Sequence, residues 1–270
     1  MRERIAGVLA LLLIITGVTA PDLTAQHRYR PVKVQNGGTV HGVVRLHGAA
    51  PSPLRLVISK DEKICGKEQA SPRLLLGRER GVANAIVSLE GIKEGKAWSR
   101  DVKPVLDQKL CSYEPHVLIV PAGSDLEIVN NDPILHNVHA YELTGAERSL
   151  FNIAQPIKGQ RTPVRSALLN NAGLIQATCD AGHPWMSAYI MVADHPYYEV
   201  TDRDGGFTIA DVPPGTYRLR MWHEGVAVVK TEKEQGIVKK YFFEPPYSLE
   251  QEVVILPDGE VSVEFDLVLR

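Results

Sequence analysis

The chain lacks any long run of one charge, and its 30 Lys and Arg against 32 Asp and Glu leave a formal charge of −2. With no basic stripe to meet phosphates, the composition argues against nucleic acid as a partner and against long-range steering of a charged protein. The local signatures of hydrolysis are missing: no G-x-S-x-G elbow, no H-E-x-x-H helix and no phosphate-cradling glycine loop. The haem-attachment sequence C-x-x-C-H is absent too. Apolar residues at helical spacing never persist beyond about two turns, except from Ile5 to Val18, so a helical fold is not expected.

That one apolar run has the marks of an export signal. Arg2, Glu3 and Arg4 form a short net-positive start, and only Gly and Thr interrupt the run that follows. Leu23-Thr24-Ala25 then places small residues where a signal peptidase reads, ahead of Gln26. Residues 1–25 are therefore expected to be removed and the rest to be periplasmic or secreted. Val18-Thr19-Ala20 is a poorer cleavage site because Pro21 follows it. The run is short of the ~20 residues that a spanning helix needs, which sets an uncleaved anchor second. Cysteine is scarce and odd in number: Cys65, Cys111 and Cys179. In an oxidising compartment two would pair and one would remain. Cys65 with Cys111 is the expected pair; three small buried thiols are the alternative.

What is present reads as strand. Residues 39–46 and 85–89 alternate with period two, and residues 116–120 lead through Pro121-Ala122-Gly123 into another strand at 125–129. Residues 174–178 and 188–192 flank Cys179. Short strands at regular intervals with Gly and Pro turns indicate an all-β sandwich. The expected first domain is 36–193, with its core at 83–193 and the strands of 39–89 completing it; a small module of their own is the alternative for those strands. Residues 252–270 read as a hairpin about Pro257-Asp258-Gly259, and 230–247, charged and then rich in aromatics and proline, as a long loop.

After His195-Pro196 the composition shifts. Asp202-Arg203-Asp204-Gly205-Gly206-Phe207, followed by Val212-Pro213-Pro214-Gly215-Thr216-Tyr217, resembles the carboxypeptidase regulatory-like (transthyretin-like) sandwich. The resemblance implies a second β-sandwich at 194–270, and architecture rather than chemistry.

Chemistry concentrates in Cys179-Asp180-Ala181-Gly182-His183-Pro184-Trp185-Met186, which sets thiol, imidazole and thioether within eight residues. Thiolate and thioether favour Cu(I), and imidazole suits both copper states. A further ligand can come from the Asn-rich stretch Asn130-Asn131-Asp132-Pro133-Ile134-Leu135-His136-Asn137. Together these segments resemble the cupredoxins, particularly the plastocyanin and amicyanin branch, across roughly residues 83–194. The resemblance implies a Greek-key sandwich binding one type 1-like copper. His136, Cys179 and His183 would be ligands and Met186 a weak axial one, with Asn137 tying the two ligand-bearing loops together. The spacing departs from the family in one respect. Three residues separate Cys179 from His183 where the nearest family loops have two or four, and Gly182 can absorb the difference through positive φ.

Such a site suits electron transfer, because it lies between the geometries that Cu(I) and Cu(II) prefer and leaves no open position for substrate. The implied role is a one-electron carrier, not an enzyme, serving a redox partner such as a c-type cytochrome or dehydrogenase. Pro184 and Trp185 offer an apolar rim for docking. A copper chaperone or store, and a metal-free structural or carbohydrate-contacting sandwich, are the rival classes. His139, an odd three residues from His136, is expected on the opposite face of its strand. His116 reads as a buried hydrogen-bonding histidine, and Trp222-His223-Glu224 as an ordinary strand end.

Overall fold

The computed structural model describes residues 29–143 and 148–270, and the expected export signal lies outside the described residues. The regular secondary structure of the described residues is almost entirely strand, and among them no helix is long and apolar enough to cross a membrane. Two β-sandwiches with separate apolar cores are formed.

One sandwich is continuous in sequence. Its four-stranded sheet runs Gln160–Val164, Leu126–Asn130, Val105–Lys109, Ser112–Glu114; its five-stranded sheet runs Arg148–Gln155, His136–Glu142, Gly173–Thr178, Ser187–Ala193, Val117–Pro121. Alternation explains why these strands face one another: Leu126 and Ile128, then Val138 and Ala140, then Ile175 and Ala177, all point into the same core.

The other sandwich frames it. Tyr198–Val200, Ile86–Glu90, Gly215–His223 and Tyr247–Ile255 make one sheet; Gly206–Val212, Gly38–His47 and Glu260–Val268 make the other. The first sandwich is thus an insertion into the second, which corrects the expectation that 39–89 would complete the 36–193 domain. The cause is register. Gly38–His47 runs parallel to Glu260–Val268 from Thr39 opposite Glu260 to His47 opposite Val268, so Val40, Val44 and Leu46 share a core with Phe265 and Leu267. The close approach of the Asp202–Gly205 turn to this sheet needs glycine. Gly205 has φ +80°, and a Cβ there would come within 2.4 Å of the Val44 carbonyl oxygen.

Two local expectations are also corrected. Residues 252–270 are not a hairpin: Tyr247–Ile255 pairs with Gly215–His223, whereas Glu260–Val268 pairs with Gly38–His47, so the Pro257-Asp258-Gly259 turn crosses between the two sheets. Residues 230–247 are not a long loop. Val228–Glu234 and Ile237–Phe243 form a hairpin about Gln235-Gly236, both at positive φ as a two-residue type I′ turn requires.

A third piece covers the inserted sandwich. Arg55–Val57 pairs with Glu68–Ala70, and the helix Glu62–Cys65 lies between them. Leu56 and Ile58 seat this segment in the core of the inserted sandwich, each burial contributing about 1.5–3 kcal/mol. Cys65 is joined to Cys111 with Cα atoms 5.4 Å apart, and Cys179 is free and buried.

Candidate metal centre

Adjacent strands deliver the candidate donors to one end of the five-stranded sheet. His136 opens its strand, Cys179 follows Gly173–Thr178, and Met186 immediately precedes Ser187–Ala193. The Asn-rich corner is shaped by Asn130, whose amide donates to the carbonyls of Ile134 at 2.9 Å and Gln155 at 2.8 Å. Asn137 bridges the two loops, because its Oδ1 accepts the Ala181 N–H at 3.0 Å. The Cys179–Met186 loop closes through the Met186 N–H on the His183 carbonyl at 3.0 Å. Gly182 sits at φ +94°, the conformation expected of it.

Within this frame the Nδ1 atoms of His136 and His183 are 3.0 Å apart, and Cys179 Sγ lies 3.9 Å and 3.5 Å from them. These three ligand atoms all fall within 4.8 Å of one another, and both imidazoles are fully buried. Met186 is buried in the same apolar cluster as Cys179 and Trp185.

Each imidazole turns its other nitrogen to a carboxylate. His136 Nε2 lies 2.9 Å from Asp132 Oδ2, and His183 Nε2 lies 2.9 Å from Asp61 Oδ2. A carboxylate that accepts from Nε2 keeps a proton there, so a metal that displaced the Nδ1 proton would find that nitrogen's lone pair free. Neither aspartate was among the residues expected at the site. Asp132 stands four residues before His136 and could have been suspected; Asp61, 122 positions before His183, carries no local signal.

The electrostatics favour an ionised sulfur. Burial raises the Cys179 thiol, but hydrogen bonds from His136, His183 and the Asn137 backbone outweigh it and bring the pKa down to about 6. Burial likewise lowers His136, yet Asp132 and Cys179 overcome it and push the ring up to about 9. Burial would raise Asp132, but bonds from His136 and the backbone N–H groups of Cys111 and Leu110 hold it below the usual carboxylate range. Tyr113 was also not expected here. Its buried hydroxyl donates to the Asn137 carbonyl at 2.5 Å, and burial, then the neighbouring Cys179, drives its pKa well upward.

Other candidates fall elsewhere. His139 points away from the donors and is half-buried between Asp180, Ser149 and Tyr141. Trp185 is no docking rim: it is buried, and its indole N–H donates to the Cys111 carbonyl at 3.1 Å. His116 is buried and hydrogen-bonded to the Ser187 carbonyl and to Glu224. Trp222-His223-Glu224 is more than a strand end, because Glu224 sits buried between the sandwiches against Arg73 and His116. A cavity of about 870 Å³ opens nearby, its wall including Cys179, Pro184, Met186, Tyr189, Trp222 and Phe243.

Parts of the chain are similar to known proteins. A family model described as polysaccharide lyase family 4, domain II, matches residues 172–238, about a quarter of the chain. Among solved structures, a purple cupredoxin from Nitrosopumilus maritimus is 21% identical over 34% of this chain and all of its own, with a TM-score of 0.29. Amicyanin from Paracoccus versutus is 19% identical over 36% of this chain and 85% of its own, with a TM-score of 0.28. A copper-containing nitrite reductase from Thermus scotoductus is 22% identical over 36% of this chain but only 24% of its own, with a TM-score of 0.27. No curated protein matches the sequence.

Proposed function

We propose that this is an exported mononuclear copper protein that carries one electron at a time between redox partners. The observation that supports it most is the buried convergence of two imidazole Nδ1 atoms on one acidified thiol, with donor atoms within 4.8 Å of one another. A soft thiolate with two imidazoles and a nearby thioether suits copper, whereas hard cations prefer oxygen. Copper, when bound, would supply a one-electron couple. His136 and His183 would hold it through Nδ1, with their rings fixed by Asp132 and Asp61. Cys179 would offer a sulfur already ionised near neutral pH, and Met186 the weak fourth position. With all four positions supplied by protein side chains, copper would keep no open position for a substrate, so no enzymatic turnover is expected. The partner would be a protein such as a c-type cytochrome or dehydrogenase, and residues 1–25 would direct export to the periplasm or beyond. Ready release, as a copper chaperone requires, is opposed by the complete burial of both imidazoles.

Titrating residues 26–270 with Cu(II) under visible absorption tests this reading. An intense thiolate-to-copper band saturating at one equivalent, and lost in Cys179→Ala, is expected. A featureless spectrum from folded, reduced protein would remove the electron-carrier role.

A further inference from the structure

The His183 edge of the site is not open to solvent. Residues 54–70 lie across it as a strap with four kinds of anchor. Leu56 and Ile58 are buried in the inserted sandwich's core. Gln69 Nε2 donates to the Leu110 carbonyl at 3.0 Å and to Ser112 Oγ at 2.8 Å. Lys60 Nζ donates to the Ala181 carbonyl at 2.5 Å, and its methylenes lie over Gly182, where an added Cβ would meet Lys60 Cδ at 2.8 Å. The fourth anchor is the Cys65–Cys111 disulfide.

The strap carries Asp61, and its backbone directs that side chain inward. Asp61 adopts φ +55° ahead of the helix Glu62–Cys65, yet its side chain makes no hydrogen bond to the helix it precedes. Its carboxylate instead takes His183 Nε2. The other end of the disulfide serves the second imidazole. The Cys111 N–H donates to Asp132 Oδ2 at 2.7 Å, and the same oxygen lies 2.9 Å from His136 Nε2. One covalent bond therefore ties the strap that carries Asp61 to the backbone segment whose N–H groups hold Asp132.

We propose that Asp61 is a positioning residue for the metal centre, and that the strap, clamped by Cys65–Cys111, closes the His183 edge. This rests on the copper reading above. With that edge sealed, exchange with the centre is confined to the side where Cys179 and Met186 line the cavity. A carboxylate that accepts from the distal ring nitrogen fixes both the tautomer and the ring plane, and losing such a partner commonly costs 10–100-fold in metal affinity. Its negative charge also favours Cu(II) over Cu(I), so neutralising it should raise the reduction potential.

Two measurements on Asp61→Ala, Asp61→Asn and the double variant Cys65→Ser/Cys111→Ser separate these ideas. In the metal-free protein, modification of His183 by diethyl pyrocarbonate, followed by peptide mass spectrometry, should be at least tenfold faster in Asp61→Ala and in the double variant than in the parent. With copper bound, Asp61→Asn, which keeps the side-chain shape, should keep the thiolate band but show a higher potential; Asp61→Glu should restore the parent value. Circular dichroism identifies any variant that fails to fold. Equal protection of His183 in folded variants would overturn the strap, and an unchanged potential in Asp61→Asn would overturn the positioning role. A parent protein with no copper band would instead refute the copper reading, while the protection assay, which needs no metal, still tests the strap.

Discussion

Replacing Glu224 by alanine is expected to lower the stability of the folded chain by about 3–5 kcal/mol, measured by urea unfolding at neutral pH. Glu224, Arg73 and His116 are 2%, 3% and 8% exposed, so this charge group has almost no water to fall back on. Arg73 Nη1 lies 2.5 Å from Glu224 Oε2 as an ion pair rather than an aligned hydrogen bond, and His116 Nε2 engages Oε1. The guanidinium also donates to the Gly225 carbonyl at 3.0 Å and stacks 3.4 Å from the centre of the Phe243 ring. Removing the carboxylate would strand a buried cation that cannot shed its proton, and an uncompensated buried charge is the costly case.

The pH dependence distinguishes this account from a packing defect. Burial raises the Glu224 carboxyl, but His116 and Arg73 outweigh burial and hold it below its usual 4.5. A depressed carboxylate contributes stability that is fully present above its unfolded pKa and is lost as pH falls through the folded one. The gap between parent and Glu224→Ala should therefore narrow as pH falls below 4.5. A loss under about 1 kcal/mol, or a gap independent of acid, would mean that the cluster is not held by charge. Because Arg73, His116, Glu224 and Phe243 come from four different segments, the variant should also loosen the inserted sandwich against its frame.

What could be read from the sequence was what short range encodes. Period-two alternation made the strands legible, and the thiol, imidazole and thioether between 179 and 186 fall in one loop. His136 was legible through the Asn-rich corner that Asn130 organises. The framework sandwich was not. Its membership depends on pairing Gly38–His47 with a strand more than two hundred positions away, and alternation tells which face is buried but not against what. The 228–243 hairpin escaped for the opposite reason: it is solvated on much of both faces, so its side chains show little apolar alternation. Asp61 was hidden because nothing in Lys60-Asp61-Glu62 differs from a polar turn until the strap is folded over His183.

In the metal-free protein, the ultraviolet absorbance of the Cys179 thiolate is expected to titrate near pH 6 rather than at the usual 9.0. At pH 7 that makes Cys179 about nine-tenths ionised, where an ordinary thiol of pKa 9 would be about one per cent ionised. The sign follows from the neighbours, since burial alone would raise the pKa and only donors aimed at sulfur can reverse it. His136→Gln should therefore move the midpoint upward by about one pH unit or more, as it removes the largest favourable contact. The same balance governs proton release when copper is added. Between pH 6 and 9 Cys179 has already lost its proton while His136, pushed up to about 9, still holds one on the nitrogen that must face the metal. Together the two should release about one proton in that window, about two below pH 6, and none above pH 9. A parent midpoint near 9 would mean that the imidazoles do not donate to the sulfur, and the pre-ionised site would be wrong however well copper binds.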